Sequence, residues 1–205
     1  RDALDVMHPR HTGPTFGGFA GGNLPVSPDL FAILGVLFVT FSLQFFDLTA
    51  VVPALLRLTP LVLRGLLWQL VSYPFVGFGS PGLWFLLELL IVFWFGRDVF
   101  WYLGRRRFWS TLLWAAGGAA VAAVLAHLAT AALGLPAGAP FLIMQGQRML
   151  LVTLIAAFAT LKGEATILLF FVLPIQARWF LGLEILFGFM AFLSTRDLAG
   201  FVGIV

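Results

Sequence analysis

From residue 108 to residue 133 the chain runs without a single Asp, Glu, Lys or Arg. Four further stretches, 30–46, 83–103, 141–161 and 165–193, are nearly as apolar, and a sixth opens near Leu198 and continues to the last residue. A helix needs about 20 apolar residues to cross the hydrocarbon of a bilayer. The segments 83–103, 108–133, 141–161 and 165–193 meet that length, and 30–46 approaches it if continued past Asp47 toward Leu56. Charged residues make up 10% of the chain, against about 25% in ordinary soluble domains. With a mean hydropathy of +1.03 there is too little polar surface to coat a globule in water. The expected fold class is therefore an all-α integral membrane protein, a bundle of about six transmembrane helices with lipid as its main solvent.

The pattern excludes several function classes. There is no cysteine, hence no disulfide, thiolate metal site or cysteine nucleophile. The net charge of +3 comes from few groups, and no basic stripe with interleaved aromatics suggests a nucleic-acid partner. Residues 1–29 read as a separate extramembrane tail, because the Gly-rich stretch 12–23 cannot hold a regular helix. It is expected to act as a flexible linker or a strap across a partner, since it lacks the Lys-Ser/Thr of a phosphate loop. Residues 30–205 form the transmembrane domain. The chain starts at Arg1 and ends inside an apolar run at Val205, so both ends read as limits of a processed or longer chain.

The segment 57–75 is apolar yet broken by Arg57, Arg64, Gly65 and two prolines. It is too interrupted to span. Arg64, Trp68 and Tyr73 suit the headgroup level, so a half-embedded loop is expected. The densest basic cluster, Arg105–Arg106–Arg107, lies in the short turn between the second and third segments. The positive-inside rule puts that turn, Lys162 and the N-terminal tail in the cytoplasm, with the loop 57–75 facing outward. A bacterial inner membrane is the expected location.

Three stretches resemble the rhomboid family of intramembrane serine proteases and their inactive relatives. These are the loop 62–75 with its Gly, Trp, Arg and Tyr-Pro-Phe; the end of the second segment, Phe95-Gly96 through Gly104 and its basic turn; and 168–180, where an aromatic-rich run precedes Pro174 and Arg178. The resemblance implies a six-helix rhomboid-type bundle and predicts where catalytic groups would stand. A serine hydroxyl is a weak nucleophile until an imidazole takes its proton. In this chain Arg148 stands at the expected serine position and Gly200 at the expected histidine position. Trp84 and Glu88 match the oxyanion-supporting His and Asn, and Phe100 matches the family's Glu. No histidine follows His127. The resemblance thus implies a degenerate protease site at Arg148, Gly200, Glu88 and Trp84, and no catalysis.

Charges at bilayer depth are costly, roughly 2.5–3.5 kcal/mol on insertion scales. Glu88 and Arg148 either form an ion pair closing the former catalytic cavity, or Glu88 is protonated and Arg148 snorkels to the headgroups. Glu184, midway along 165–193, reads mainly as a packing carboxyl bonded to a backbone or hydroxyl neighbour. Its alternative is a substrate or proton contact, for which the sequence offers no second carboxylate at relay spacing. His127 follows the small-residue run 115–123, which lets another helix approach closely. It reads as a packing histidine, with a metal or pigment ligand as the alternative. His8 and His11 lack further ligands for a metal.

The expected function is a non-catalytic rhomboid-like protein that binds or scaffolds other membrane proteins, with lipids and transmembrane proteins as partners and no cofactor or metal. One alternative is a structural subunit of a large photosynthetic or respiratory complex. Another is an intramembrane serine protease with a displaced active site, which the lack of a suitably spaced histidine opposes.

Overall fold

The computed structural model describes residues 27–134, 138–161, 166–169 and 173–205, so the Gly-rich tail, Lys162 and the connection 135–137 lie outside the described residues. The first helix, α1 (Pro28–Leu43), starts two residues before the expected tail boundary. Ser27 caps it by accepting from Leu30 N, and Pro28 sits where a missing N–H costs nothing. Asp29 in its first turn receives a two-pronged contact from Arg105, Nε to Oδ2 at 2.9 Å and Nη2 to Oδ1 at 3.0 Å. The start of α1 and the basic turn therefore lie at the same end of the molecule.

The chain continues through α2 (Val51–Leu56), a 3-10 turn at Pro60–Arg64, the short α3 (Gln69–Ser72) and a second 3-10 turn at Tyr73–Phe75. Short pieces with no long helix fit the prolines and glycine of this segment. Next comes α4 (Leu83–Ala132), which breaks at Gly104 with φ 72° and ψ 164°. That backbone region is open essentially to glycine alone. The break gives two arms, 83–103 and 105–132, matching the second and third apolar segments, with the arginine triplet opening the second arm. By length and composition α4 is the one helix among the described residues that can cross a membrane.

Two expected spans are shorter than the apolar segments suggested. Residues 141–146 are not helical throughout: Leu142–Met144 forms a 3-10 turn, and α5 begins only at Gln147, running to Leu161. The fifth segment does not form one helix from residue 165. Thr166–Leu169 (β1) and Leu173–Gln176 (β2) pair antiparallel, with Leu168 opposite Pro174, and α6 spans Ala177–Thr195. Proline lacks the N–H and clashes with the preceding turn of a helix, whereas an edge strand tolerates it. The chain closes with α7 (Leu198–Ile204). The described residues are thus predominantly helical, with one long apolar helix, three shorter apolar ones and a small antiparallel strand pair.

The core is built around α5, which is buried nearly all round: Leu150, Leu151, Leu154, Ile155 and Phe158 are all closed off. An apolar helix without a polar face belongs in the interior. One cluster joins it to α1 and the 83–103 arm through Ile33, Leu37, Val92 and Val99. Another joins Tyr73, Met144 and Met149 to Ala116, Ala120 and Ala123 on the second arm and Ala199 and Ile204 on α7. The alanine-rich face receives α7 closely: a Cβ on Gly203 would stand 2.7 Å from Met144 Sδ and 3.1 Å from the Ala119 carbonyl oxygen. Small residues at such a crossing let backbones approach. The outward faces stay apolar, with Phe31, Phe38, Trp101, Trp114 and Phe187 exposed. That suits a lipid-facing surface.

Candidate functional site

Three buried glutamines organise the site, and none stood out in the sequence. Gln69 accepts from Thr59 N (3.0 Å) and Thr59 Oγ1 (2.9 Å) and donates to Leu55 O (3.1 Å). Gln145 donates to Leu58 O at 2.6 Å and accepts from Leu58 N at 3.3 Å. Gln147 does the same with Phe78, donating to its carbonyl at 2.7 Å and accepting from its N–H at 3.0 Å. Each of the last two amides imitates one rung of a β-ladder. Together they fasten both ends of the segment 58–78 to the entrance of α5. Buried backbone polar groups require partners, and these side chains supply them. A polar amide in so apolar a chain is the signal that could have drawn attention to them.

The expected interfacial residues divide. Arg64 is exposed, and Trp68 is half exposed while its Nε1 donates to Leu55 O at 3.1 Å. Tyr73 is instead fully buried, and its hydroxyl donates to Ala116 O at 2.8 Å. It pins the loop to the second arm of α4 rather than marking an interface. Arg57 donates to Gln44 Oε1 at 3.2 Å and lies 4.2 Å from the Phe78 ring centre, with burial pulling its pKa below the ordinary value.

Glu88 on α4 accepts from Gln147 Nε2 at 2.7 Å. The direct Glu88–Arg148 ion pair is not formed: no such contact lies within 4.0 Å among the described residues. Successive helical residues project about 100° apart, so Gln147 and Arg148 cannot both face Glu88. Arg148 nevertheless interacts electrostatically with Glu88 and with Glu184 of α6, and the two carboxylates interact with each other. This corrects the reading of Glu184 as a carboxyl bonded to backbone or hydroxyl. Among the described residues neither it nor Arg148 has a hydrogen bond or ion pair, and Glu184 does have a second carboxylate for a neighbour.

These three charges come from α4, α5 and α6. Both α4 and α6 pack on α5. Toward the Gly104 end, Phe95 of α4 meets Phe180 of α6 (centres 6.1 Å apart) and Phe158 of α5 (5.3 Å). Glu88 lies about two turns from Phe95, and Glu184 one turn from Phe180, on the other side of this aromatic closure. Two carboxyl groups and a guanidinium thus stand on three neighbouring helices, α4 and α6 both packed on α5, with the phenylalanine contacts toward one end.

The other residues of the expected degenerate site stand apart. Trp84 is 71% exposed and does not enter the interior. Gly200 is buried in α7, where a Cβ would collide with the Asp197 carboxylate and come within 2.8 Å of Ile143 Cγ1. A histidine therefore cannot be placed there without displacing Asp197. Asp197 is itself a residue the sequence reading missed: at 1% exposure its Oδ1 accepts from Phe141 N (3.0 Å) and Gly200 N (2.8 Å), and its Oδ2 from Ile143 N (3.1 Å). His127 is half-buried and meets Phe141 edge to face at 5.4 Å. Among the described residues no group of three or more His, Cys, Asp or Glu is placed to hold a metal. Searches against protein-family models, curated proteins and solved structures found nothing that matches this chain.

Proposed function

We propose that the protein is a non-catalytic, rhomboid-like, multi-pass membrane protein that binds transmembrane helices of other membrane proteins in a cleft between α4 and α6, floored by α5. The observation that carries the reading is the convergence of Glu88, Arg148 and Glu184. Ionisable groups at bilayer depth face partners or cavities as a rule and mark functional sites, and Arg148 and Glu184 have no direct partner among the described residues. A passing helix with a polar or charged residue would supply one. The absence of a serine in α5 and of any histidine after His127 supports a binding role over hydrolysis.

The test is site-specific photocrosslinking in native membranes from Ile91 and Leu181, each within one helical turn of Glu88 or Glu184. Trp114, exposed on the other arm of α4, serves as control. Discrete adducts with membrane proteins from positions 91 and 181, lost in Glu184→Gln, are expected. Equal adducts from position 114 would sink the cleft assignment. A single partner at fixed ratio from all three positions would favour the alternative of a structural subunit, which the broad exposed aromatic surface also suits.

A further inference from the structure

At the end of α6 a cavity of about 470 Å³ opens between α4, α6 and α7. Its walls are mainly apolar, including Pro140, Phe192 and Leu193, and its polar lining includes His127, Thr130 and Arg196. Asp197 also lines it, but that carboxylate already accepts from three backbone amides. His127 contributes its ring to the wall; its Nδ1 is covered by protein, has no hydrogen-bond partner among the described residues and does not face the open space. Arg196 keeps the cationic end of its side chain unpaired, since the ion pairs among the described residues involve only Arg97 and Arg105.

The backbone around this cavity is strained. Among the described residues only Phe141 (φ 67°) and Arg196 (φ 56°) are non-glycine residues in the left-handed region. Arg196 lines the cavity, and Phe141, which is not in its wall, packs against the lining residue His127. Arg196 caps the C-terminus of α6, the position where glycine is the unstrained choice. Strain held at such a position points to a use for the side chain. A cation and an imidazole ring beside apolar walls match a molecule with an anionic oxygen group and a hydrocarbon chain. A free inorganic anion would leave the walls unused.

We infer that this cavity is a binding site for an amphipathic anion, an acyl-chain lipid whose phosphate or carboxylate is held by Arg196, with the His127 ring in the wall beside it. The site is separate from the α4/α6 cleft and does not depend on its function.

The experiment uses the full chain in uncharged detergent, with oleate, dioleoyl phosphatidylglycerol and dioleoyl phosphatidylcholine as probes, following thermal unfolding and binding by native mass spectrometry. The variants are Arg196→Gly and His127→Phe. At least one anionic probe should raise the wild-type melting temperature, and phosphatidylcholine should do so much less. Arg196→Gly should fold at least as stably without probe, because the cap strain is relieved, yet bind the anionic probe about tenfold or more weakly, as loss of a charge-assisted bond requires. His127→Phe should weaken it by a smaller factor. Response to oleate alone identifies a free fatty acid, and response to phosphatidylglycerol a lipid headgroup. No response to either anion, an equal response to phosphatidylcholine, or unchanged binding in Arg196→Gly overturns the inference.

Discussion

Gln147 Nε2 donates to Glu88 Oε2 at 2.7 Å while the same side chain pairs with both polar groups of the Phe78 backbone. One buried amide thus holds the loop, the entrance of α5 and the first carboxylate of the cleft in fixed relation. Replacing it with alanine leaves the Phe78 N–H and C=O and the Glu88 carboxylate without this partner. Gln147→Ala should destabilise by about 2 kcal/mol or more, since each stranded buried group costs about 1–3 kcal/mol. Glu88→Gln keeps an oxygen for the same bond and should cost less than about 1 kcal/mol while altering crosslinking from the cleft. Thermal unfolding of the two variants in detergent, beside crosslinking yield, separates scaffold from recognition. Equal destabilisation by both would show that the Glu88 charge itself holds the fold.

Asp197 satisfies three backbone N–H groups from two segments. Asp197→Ala should lower stability by about 3 kcal/mol or more, among the largest single losses in the chain. A fall in melting temperature no greater than that of an exposed substitution such as Trp84→Ala would contradict this.

Placing a serine and a histidine at positions 148 and 200 should not create a serine protease. In Arg148→Ser/Gly200→His the imidazole meets Asp197 and Ile143, and Gly200→Ala alone should cost about 1–3 kcal/mol through overpacking. A fluorophosphonate probe should label neither the wild type nor the double variant. Labelling of the wild type would revive the displaced-active-site reading.

Burial pushes the Tyr73 phenol well above its ordinary value of 10.0. The folded state therefore favours the neutral phenol. Its contribution is fully present below about pH 10 and is lost as pH rises from there toward the folded-state value. Tyr73→Phe also loses the bond to Ala116 O, costing about 1 kcal/mol at neutral pH. Its stability should then fall less than the wild type's between about pH 9 and 11. Parallel curves for the two proteins would contradict the buried-phenol account.

Arg105 and Asp29 make a two-pronged contact, but the arginine is 75% exposed. Exposed pairs contribute about 0–1 kcal/mol. Asp29→Asn should shift the melting temperature only slightly and lose even that effect in high salt, as a salt titration would reveal.

The elements legible in the sequence are those governed by local composition. The basic triplet and Gly104 marked the break between the arms of α4, and the Pro- and Gly-interrupted segment 57–75 resolved into short turns. The small-residue run 115–123 signalled a close helix approach, which α7 makes. Illegible were the features set by long-range pairing. Glu88 and Glu184 come within electrostatic reach of each other only because α4 and α6 both pack on α5, and no spacing along the chain reports that. The Glu88–Arg148 pair failed because Gln147, one residue earlier, takes the facing position. The strand pair 166–169 and 173–176 hid inside an apolar run, where strand and helix share the same composition and only Pro174 hinted at the difference. Asp197 read as an ordinary turn residue, because the amides it gathers lie mostly in another part of the chain.

The paired rungs from Gln145 and Gln147 have a mechanical consequence. They grip residues 58 and 78, the two ends of one loop, and are separated on their own side only by Gly146. The two ends of the loop therefore share one short attachment, while Tyr73 ties its middle to α4. A pull on its far side near Arg64 acts as torque on the first turn of α5, the turn that carries Arg148. Slow hydrogen exchange at Leu58 and Phe78 should be lost together or not at all, because neither rung can turn without the other.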